Sequence, residues 1–260
     1  MGRIFIFLVL TGLLFASCVP NKKILYMQTK DELAEGFRKD SVLREYNLAN
    51  HEYKIQPEDI LSVKVISLTD EEYSIFKESQ NQNLQGNIAA AALSGYLVDV
   101  DGYLEFPVVG KIKVSGLSIV QIEQRIQESI KSYLVNPVVR VRLLNFRVTI
   151  LGEVNQEGVI EVVNNQVSIL EVIGRAGGMT DLAKRDEVKL IRKNGSQMSV
   201  SYLNLLDEEL LNSPSFYLQN NDVLIIEPLK QRPFRKYFGP NLALIISSVS
   251  VLLLTFNLVK

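Results

Sequence analysis

Near its C-terminus the chain carries an uncharged run, Gly239–Val259, whose length limits the folds open to it. At about 1.5 Å of helical rise per residue, some 20 residues cover a hydrocarbon core of about 30 Å. Pro240 stands where a helix can begin, because its missing N–H would be unpaired there anyway. Just upstream lie Arg232, Phe234, Arg235, Lys236, Tyr237 and Phe238, a basic and aromatic cluster suited to a membrane interface. Residues 239–260 are therefore expected to form a single C-terminal transmembrane helix, with 229–238 as a juxtamembrane linker. The polar residues of the segment are grouped. Asn241, Ser248 and Thr255 fall on one line, seven apart, with Ser247, Ser250 and Asn257 in the same half of the wheel. Leu242, Ile245, Ile246, Val249, Leu252, Leu253 and Phe256 occupy the other half. Asn241, Ser248, Ser250, Thr255 and Asn257 thus read as a pore or helix-contact face. A plain anchor with tolerated hydroxyls is the competing reading.

The 260 residues are 47% hydrophobic and 22% charged, which fits one to three ordinary domains rather than disorder. A net charge of −1 argues against a nucleic-acid binder, which carries a basic excess. Residues 1–17 have one charge, Arg3, then the apolar run Ile4–Leu14 and small residues, the pattern of a secretory signal peptide. The run ends Leu14-Phe15-Ala16-Ser17-Cys18, which resembles the lipobox of bacterial lipoproteins. That resemblance implies that Cys18 is lipidated and becomes the mature N-terminus. Cys18 is the sole cysteine, so no disulfide forms within the chain. Val19–Lys23 has no acidic residue, which favours the periplasmic leaflet of the outer membrane. Residues 18–52 read as a lipidated tether, with a short helix near Lys30–Leu48.

From Tyr53 the pattern changes. Tyr53–Val65 reads as strand, turn at Pro57, and strand, with Leu61, Val63 and Val65 alternating with polar residues. Thr69–Leu93 is a long polar loop. Tyr96–Val100, Asp101-Gly102 and Tyr103–Phe106 suggest a hairpin. Ser118-Ile119-Val120-Gln121 is a capping box that opens a helix with Ile119, Ile122, Ile126 and Ile130 on one face. Val138–Leu144 follows as a strand, with Val139, Val141 and Leu143 opposed to Arg140 and Arg142. A similar unit recurs: strands at Phe146–Gly152 and Gly158–Val163, and a second box, Ser168-Ile169-Leu170-Glu171. Its helix stops at Gly177-Gly178. Val188–Arg192 and Met198–Tyr202 form a hairpin around Asn194-Gly195, and Asp222–Glu227 is a last strand. Strand pairs wrapped on single capped helices indicate small α+β modules rather than a doubly wound sheet.

These residues resemble the outer-membrane polysaccharide export (Wza-like) lipoprotein family. The likeness runs through Tyr53–Val65, Asp99–Val109 with Asp101-Gly102 and Pro107, Gly116-Leu117-Ser118, and Asn136-Pro137-Val138-Val139. Gly152-Glu153-Val154 to Gly158, then Leu170–Gly178, resemble a β-grasp soluble-ligand-binding (SLBB) module. Two turn positions depart from the family: Glu58 stands for the usual Gly, and Glu157 where Pro is common. The resemblance implies an export domain over 53–145 and a β-grasp domain over 146–228. It implies a homo-oligomeric ring that passes capsular or exopolysaccharide across the outer membrane. The implied partner is an inner-membrane polysaccharide co-polymerase, often linked to a tyrosine kinase.

No catalytic constellation appears and no cofactor is expected. One His (His51) and one Cys exclude most triads and zinc sites. Asp70-Glu71-Glu72 on a polar loop reads as a solvated face. Gly174–Gly178 closes a helix, whereas a dinucleotide loop opens one. Asn81, Asn83, Leu84 and Gln85 can face sugar hydroxyls or simply belong to a loop. Two functions stay open: an export conduit, and a lipid-anchored binding or scaffold protein that forms no pore. An enzyme acting on the polymer lacks its chemistry here.

Overall fold

The computed structural model describes residues 24–28, 45–46, 52–67, 95–195, 197–230 and 239–258. The expected signal peptide, Cys18, most of the expected tether, His51, the expected Thr69–Leu93 loop and residues 231–238 of the expected linker lie outside the described residues.

The first module is a three-stranded antiparallel sheet with one helix on it. β1 (Ile60–Ile66) lies between β2 (Tyr96–Leu97) and β5 (Val138–Leu143), with Val63 opposite Val141. Strand alternation sends Leu61, Val63, Val65, Val139, Val141 and Leu143 to one buried face. α1 (Ile119–Ile130) covers that face with Ile122, Ile126 and Ile130, all fully buried. Each such isoleucine contributes roughly 1.5–3 kcal/mol by leaving water. The predicted capping box is formed in both directions. Ser118 Oγ accepts from Gln121 N at 3.3 Å, and Ser118 N donates to Gln121 Oε1 at 2.9 Å. A separate hairpin pairs β3 (Tyr103–Phe106) with β4 (Gly110–Lys113) and adds Leu104, Phe106 and Ile112 to the core.

The second module is a five-stranded mixed sheet. Its strands are β6 (Arg147–Gly152), β7 (Gly158–Glu161), β9 (Ala183–Asn194), β10 (Gln197–Leu203) and β12 (Val223–Pro228). The order is β10-β9-β12-β6-β7, and β12 runs parallel to β6. A hairpin, a helix, a second hairpin and a final strand inserted between the two first strands of each hairpin is the β-grasp arrangement. The helix is α2 (Ile169–Arg175), whose Ile169, Val172 and Ile173 are buried with Val148, Ile150, Leu190, Leu224 and Ile226. β8 (Val167–Ser168) and β11 (Tyr217–Leu218) pair beside it. One glycine is obligatory: a Cβ on Gly152, at φ +100°, would lie 2.0 Å from the Ile226 carbonyl oxygen of the parallel neighbour. The chain is thus α+β throughout its two modules, as expected.

The structure corrects several local expectations. Tyr53–Gln56 is not a strand, because Ile55 donates its N–H to Leu117 O and accepts from Gly116 N, outside any ladder. Tyr103–Phe106 pairs mainly with β4, and only the single bridge Val98–Leu104 joins it to the preceding segment. The second capping box is half formed. Ser168 Oγ accepts from Glu171 N at 3.2 Å, but the Glu171 carboxylate turns to Arg175, 2.6 Å away.

At the C-terminus, α3 spans Gly239–Leu258. The single transmembrane helix expected there is not supported. Among the described residues, no helix is long and apolar enough to cross a membrane. Three of the hydroxyls also need no neighbour. Ser247, Ser248 and Ser250 donate to the carbonyls of Leu244, Ile245 and Ile246 at 2.9, 2.8 and 2.8 Å within the same helix.

Candidate functional site

The most specific polar structure lies where the two modules meet. Asp59 opens β1 and is 2% exposed. Its Oδ2 accepts from the Gln56 N–H and from the Tyr53 hydroxyl, both at 2.9 Å. Its Oδ1 accepts from Asn220 Nδ2 of the second module at 2.8 Å. Asn220 in turn accepts from the Arg147 N–H at 3.0 Å, so one amide ties β1 to β6. The linker residue Asn145 repeats the device: its Oδ1 accepts from Ile60 N at 2.9 Å and its Nδ2 donates to Glu58 O at 3.0 Å. The Tyr53 ring stacks on Phe146, with centroids 5.7 Å apart. Apolar packing, a buried carboxylate and two asparagines thus fix one module on the other.

The turn that presents Asp59 carries the first family departure. Glu58 has φ +74°, a conformation that glycine adopts without cost. The second departure also has a local use, since the Glu157 carboxylate accepts from the Gly152 N–H. Beside the junction, Asp222 is completely buried and paired with Arg192, whose Nε and Nη2 reach its two oxygens at 3.0 and 2.7 Å.

Electrostatics mark this network as structural. Burial pushes the Asp59 carboxyl above its ordinary range, while the three hydrogen bonds pull it back. Burial does the same to Asp222 against the pull of Arg192. The Tyr53 phenol is pushed far up, first by burial and then by the negative charge of Asp59. It remains a neutral donor at any physiological pH, so the Tyr53–Asp59 couple is not poised to transfer a proton. Among the described residues, no group of three or more His, Cys, Asp or Glu is placed to hold a metal ion.

Clefts flank the junction. One, of about 630 Å³, lies between the modules and is lined by Arg142, Leu144, Phe146, Glu161, Asn164 and Asn165 among others. A smaller one, of about 230 Å³, opens beside Tyr53, Arg192 and Gln219. A third, of about 750 Å³, follows the end of α1 around Tyr133–Val138. On the far side of the β-grasp module, the described piece of the tether docks: Met27 N donates to Leu205 O at 3.0 Å, and Tyr26 lies over the buried Arg185 at 5.3 Å.

Of the site residues expected from sequence, Cys18 lies outside the described residues. Asn241, Ser248, Ser250 and Thr255 are exposed on α3, and the side chain of Asn257 lies outside the described set. The junction residues Asp59, Asn145 and Asn220 were missed. Their signal was weak: Asp59 and Asn220 are 161 positions apart, so no local pattern links them.

Comparison with known proteins follows this division. The sequence model described as polysaccharide biosynthesis/export protein matches residues 47–144, and that of the SLBB domain matches residues 146–226. The chain is 29% identical over 195 residues to the EPS I polysaccharide export outer membrane protein EpsA of Ralstonia nicotianae, covering 72% of this chain and 49% of that one. It is 27% identical over 184 residues to the protein of the same name from Ralstonia solanacearum, covering 68% and 48%. The chain therefore spans about half the length of the curated relatives it matches.

Proposed function

The chain belongs to the polysaccharide biosynthesis/export family and carries an SLBB module, and from this premise we propose that it exports capsular or exopolysaccharide from the periplasm across the outer membrane. The observation that carries the reading is the order of two modules on one packed body, an export module joined to a β-grasp module through the Asp59–Asn220 contact. The relatives it matches over 195 and 184 residues are named EPS I polysaccharide export outer membrane proteins. The body works as a binding and assembly element without catalysis, in line with the use of Tyr53, Asp59 and Asp222 as structural groups.

The finer parts of the proposal are these. Cys18 is acylated and anchors the protein in the outer membrane, with the modules in the periplasm. Copies assemble into a closed homo-oligomeric ring through two different patches of the modules, as a closed cyclic contact requires. An inner-membrane co-polymerase, linked to a tyrosine kinase in some systems, hands over the polymer. In the conduit form of the proposal, the Asn241, Ser248, Ser250, Thr255 and Asn257 side of α3 faces the lumen or a neighbouring helix.

A second reading has its own support. The hydroxyls of Ser247, Ser248 and Ser250 bond to carbonyls of their own helix, so they call for no lumen or neighbouring helix. That favours a lipid-anchored scaffold or ligand-binding protein that forms no pore. The mass of the full-length, acylated protein in detergent separates the two. A conduit is a ring of fixed stoichiometry; a monomer or dimer at every concentration leaves the scaffold. Single cysteines along α3, probed with a membrane-impermeant thiol reagent, add the second axis. A wet face labels at positions 248 and 255 above 249 and 252; equal labelling removes the lumen.

A further inference from the structure

The outward face of the first module is cationic, with no counter-charge among the described residues. β1 and β5 bury their odd-numbered residues against α1, so the even-numbered ones face away. The register sets Lys64 directly opposite Arg140, and Ser62 opposite Arg142. Side chains in directly opposed positions stand about 5 Å apart at Cβ, and like charges placed so repel. A sheet that only had to fold would put a carboxylate at one of these positions. None of the three cations makes an ion pair or hydrogen bond to a described residue, and no carboxylate lies on the outward positions of β1, β2 or β5. The one acidic side chain at the β5 edge, Glu123, accepts from the Val141 N–H at 2.9 Å and is used in closing that edge.

The rest of the face is apolar. Leu97 lies beside Ile60 at one end, and Ile66 beside Val138 at the other; Leu97, Ile66 and Val138 are 60%, 46% and 47% exposed. Arg142 also lines the inter-module cleft, where Asn164 and Asn165 supply amides and Glu161 the only carboxylate. Cations flanked by flat aliphatic surface, leading to a cleft with amide groups, match one ligand chemistry. A chain of sugar acids presents carboxylates at regular intervals, apolar C–H faces on its pyranose rings, and hydroxyls in between.

We propose that the Lys64, Arg140 and Arg142 face binds an acidic polysaccharide, one bearing uronate or an equivalent carboxylate, and holds it against the export module. This rests on the export reading and specifies its substrate class. Lys64 and Arg140 take carboxylates on the open sheet. Arg142 takes one at the mouth of the cleft, where Asn164 and Asn165 meet hydroxyls.

The test uses the full-length protein in detergent with three probes of matched length: oligogalacturonate, dextran, and poly-L-glutamate. Oligogalacturonate binds, and binds more weakly as salt rises, because the contacts are exposed. Dextran binds much less. The triple variant Lys64→Gln, Arg140→Gln, Arg142→Gln loses affinity for oligogalacturonate by about tenfold or more, the sum of three exposed ion pairs. The single variant Arg140→Glu guards against a folding artefact. It replaces a repulsive cross-strand pair by an attractive one, so it melts no lower than wild type and still binds less. Equal affinity of the triple variant and wild type overturns the proposal. Equal affinity for poly-L-glutamate overturns the saccharide assignment, as does stronger binding to anionic lipid vesicles than to oligogalacturonate. Export itself is read separately, from polymer outside a strain lacking the protein, so failure here leaves that reading intact.

Discussion

Replacing Asn220 by Ala tests whether the two modules are held as one body. The variant removes the 2.8 Å bond to the Asp59 carboxylate and the 3.0 Å bond from the Arg147 N–H. Asp59 is 2% and Asn220 7% exposed, so water does not readily replace either bond. A hydrogen bond to a charged group is worth about 1.5–3 kcal/mol and a neutral one about 0.5–1.5 kcal/mol. The expected loss at pH 7 is therefore about 2–4 kcal/mol. Its pH dependence carries the diagnosis. Burial holds the folded pKa of Asp59 above its ordinary value of 3.8, and the Asn220 bond lowers it. Between 3.8 and the folded value, the folded state binds more protons than the unfolded one, so stability rises as pH falls. Losing Asn220 raises the folded value further, so the variant gains more from acidification than wild type. The difference between the two is largest at pH 7 and shrinks towards pH 4. Urea unfolding of the full-length protein in detergent, at pH 7 and at pH 4.5, measures both. A loss below about 0.5 kcal/mol, or one that does not change with pH, would refute this account of the junction.

Three further substitutions probe the same architecture. Arg192→Ala leaves the fully buried Asp222 without its cation, and should cost about 3–5 kcal/mol in urea unfolding; a loss under 1 kcal/mol would mean that Asp222 is protonated or hydrated. Gly152→Ala drives a Cβ into the Ile226 carbonyl oxygen and should abolish the cooperative melt of the β-grasp module, whereas a normal melt would show that β6 and β12 can separate. Glu58→Gly relieves a left-handed backbone worth about 1–2 kcal/mol, against about 0.5–1 kcal/mol of added chain entropy and about 0.2–1 kcal/mol for the exposed ion pair to Lys193 at 3.2 Å. The melting temperature should therefore stay within about 2 °C of wild type, and a fall of more than about 4 °C would indicate that Glu58 is held there by something stronger.

What the sequence disclosed was local. The Ser118 capping box, the isoleucine face of α1 and the alternation of Val139, Val141 and Leu143 each follow from residues within one or two turns of each other. Turn residues placed the β9–β10 hairpin at Asn194-Gly195 for the same reason. What it concealed depended on distant partners. Tyr53–Gln56 has the composition of a strand, but Ile55 bonds to a loop some 60 residues away. β4, at Gly110–Lys113, is only four residues long, so its Lys-Ile-Lys alternation is too short to stand out. The Asp59–Asn220 contact has no local signature at all. The hydroxyl face of α3 was visible as a pattern, but Ser247, Ser248 and Ser250 satisfy themselves within the helix, and angle alone cannot show that. The Lys64–Arg140 opposition needed the register of β1 on β5, which hydrophobic periodicity leaves undetermined by its direction of pairing.

The central claim is that this protein carries polysaccharide across the outer membrane. Deleting its gene in a polymer-producing cell, and measuring polymer in the medium and in the periplasm separately, tests it most directly. The account predicts that extracellular polymer falls sharply, that polymer collects in the periplasm, and that the wild-type gene restores export. Unchanged extracellular polymer in the deletion strain would contradict it.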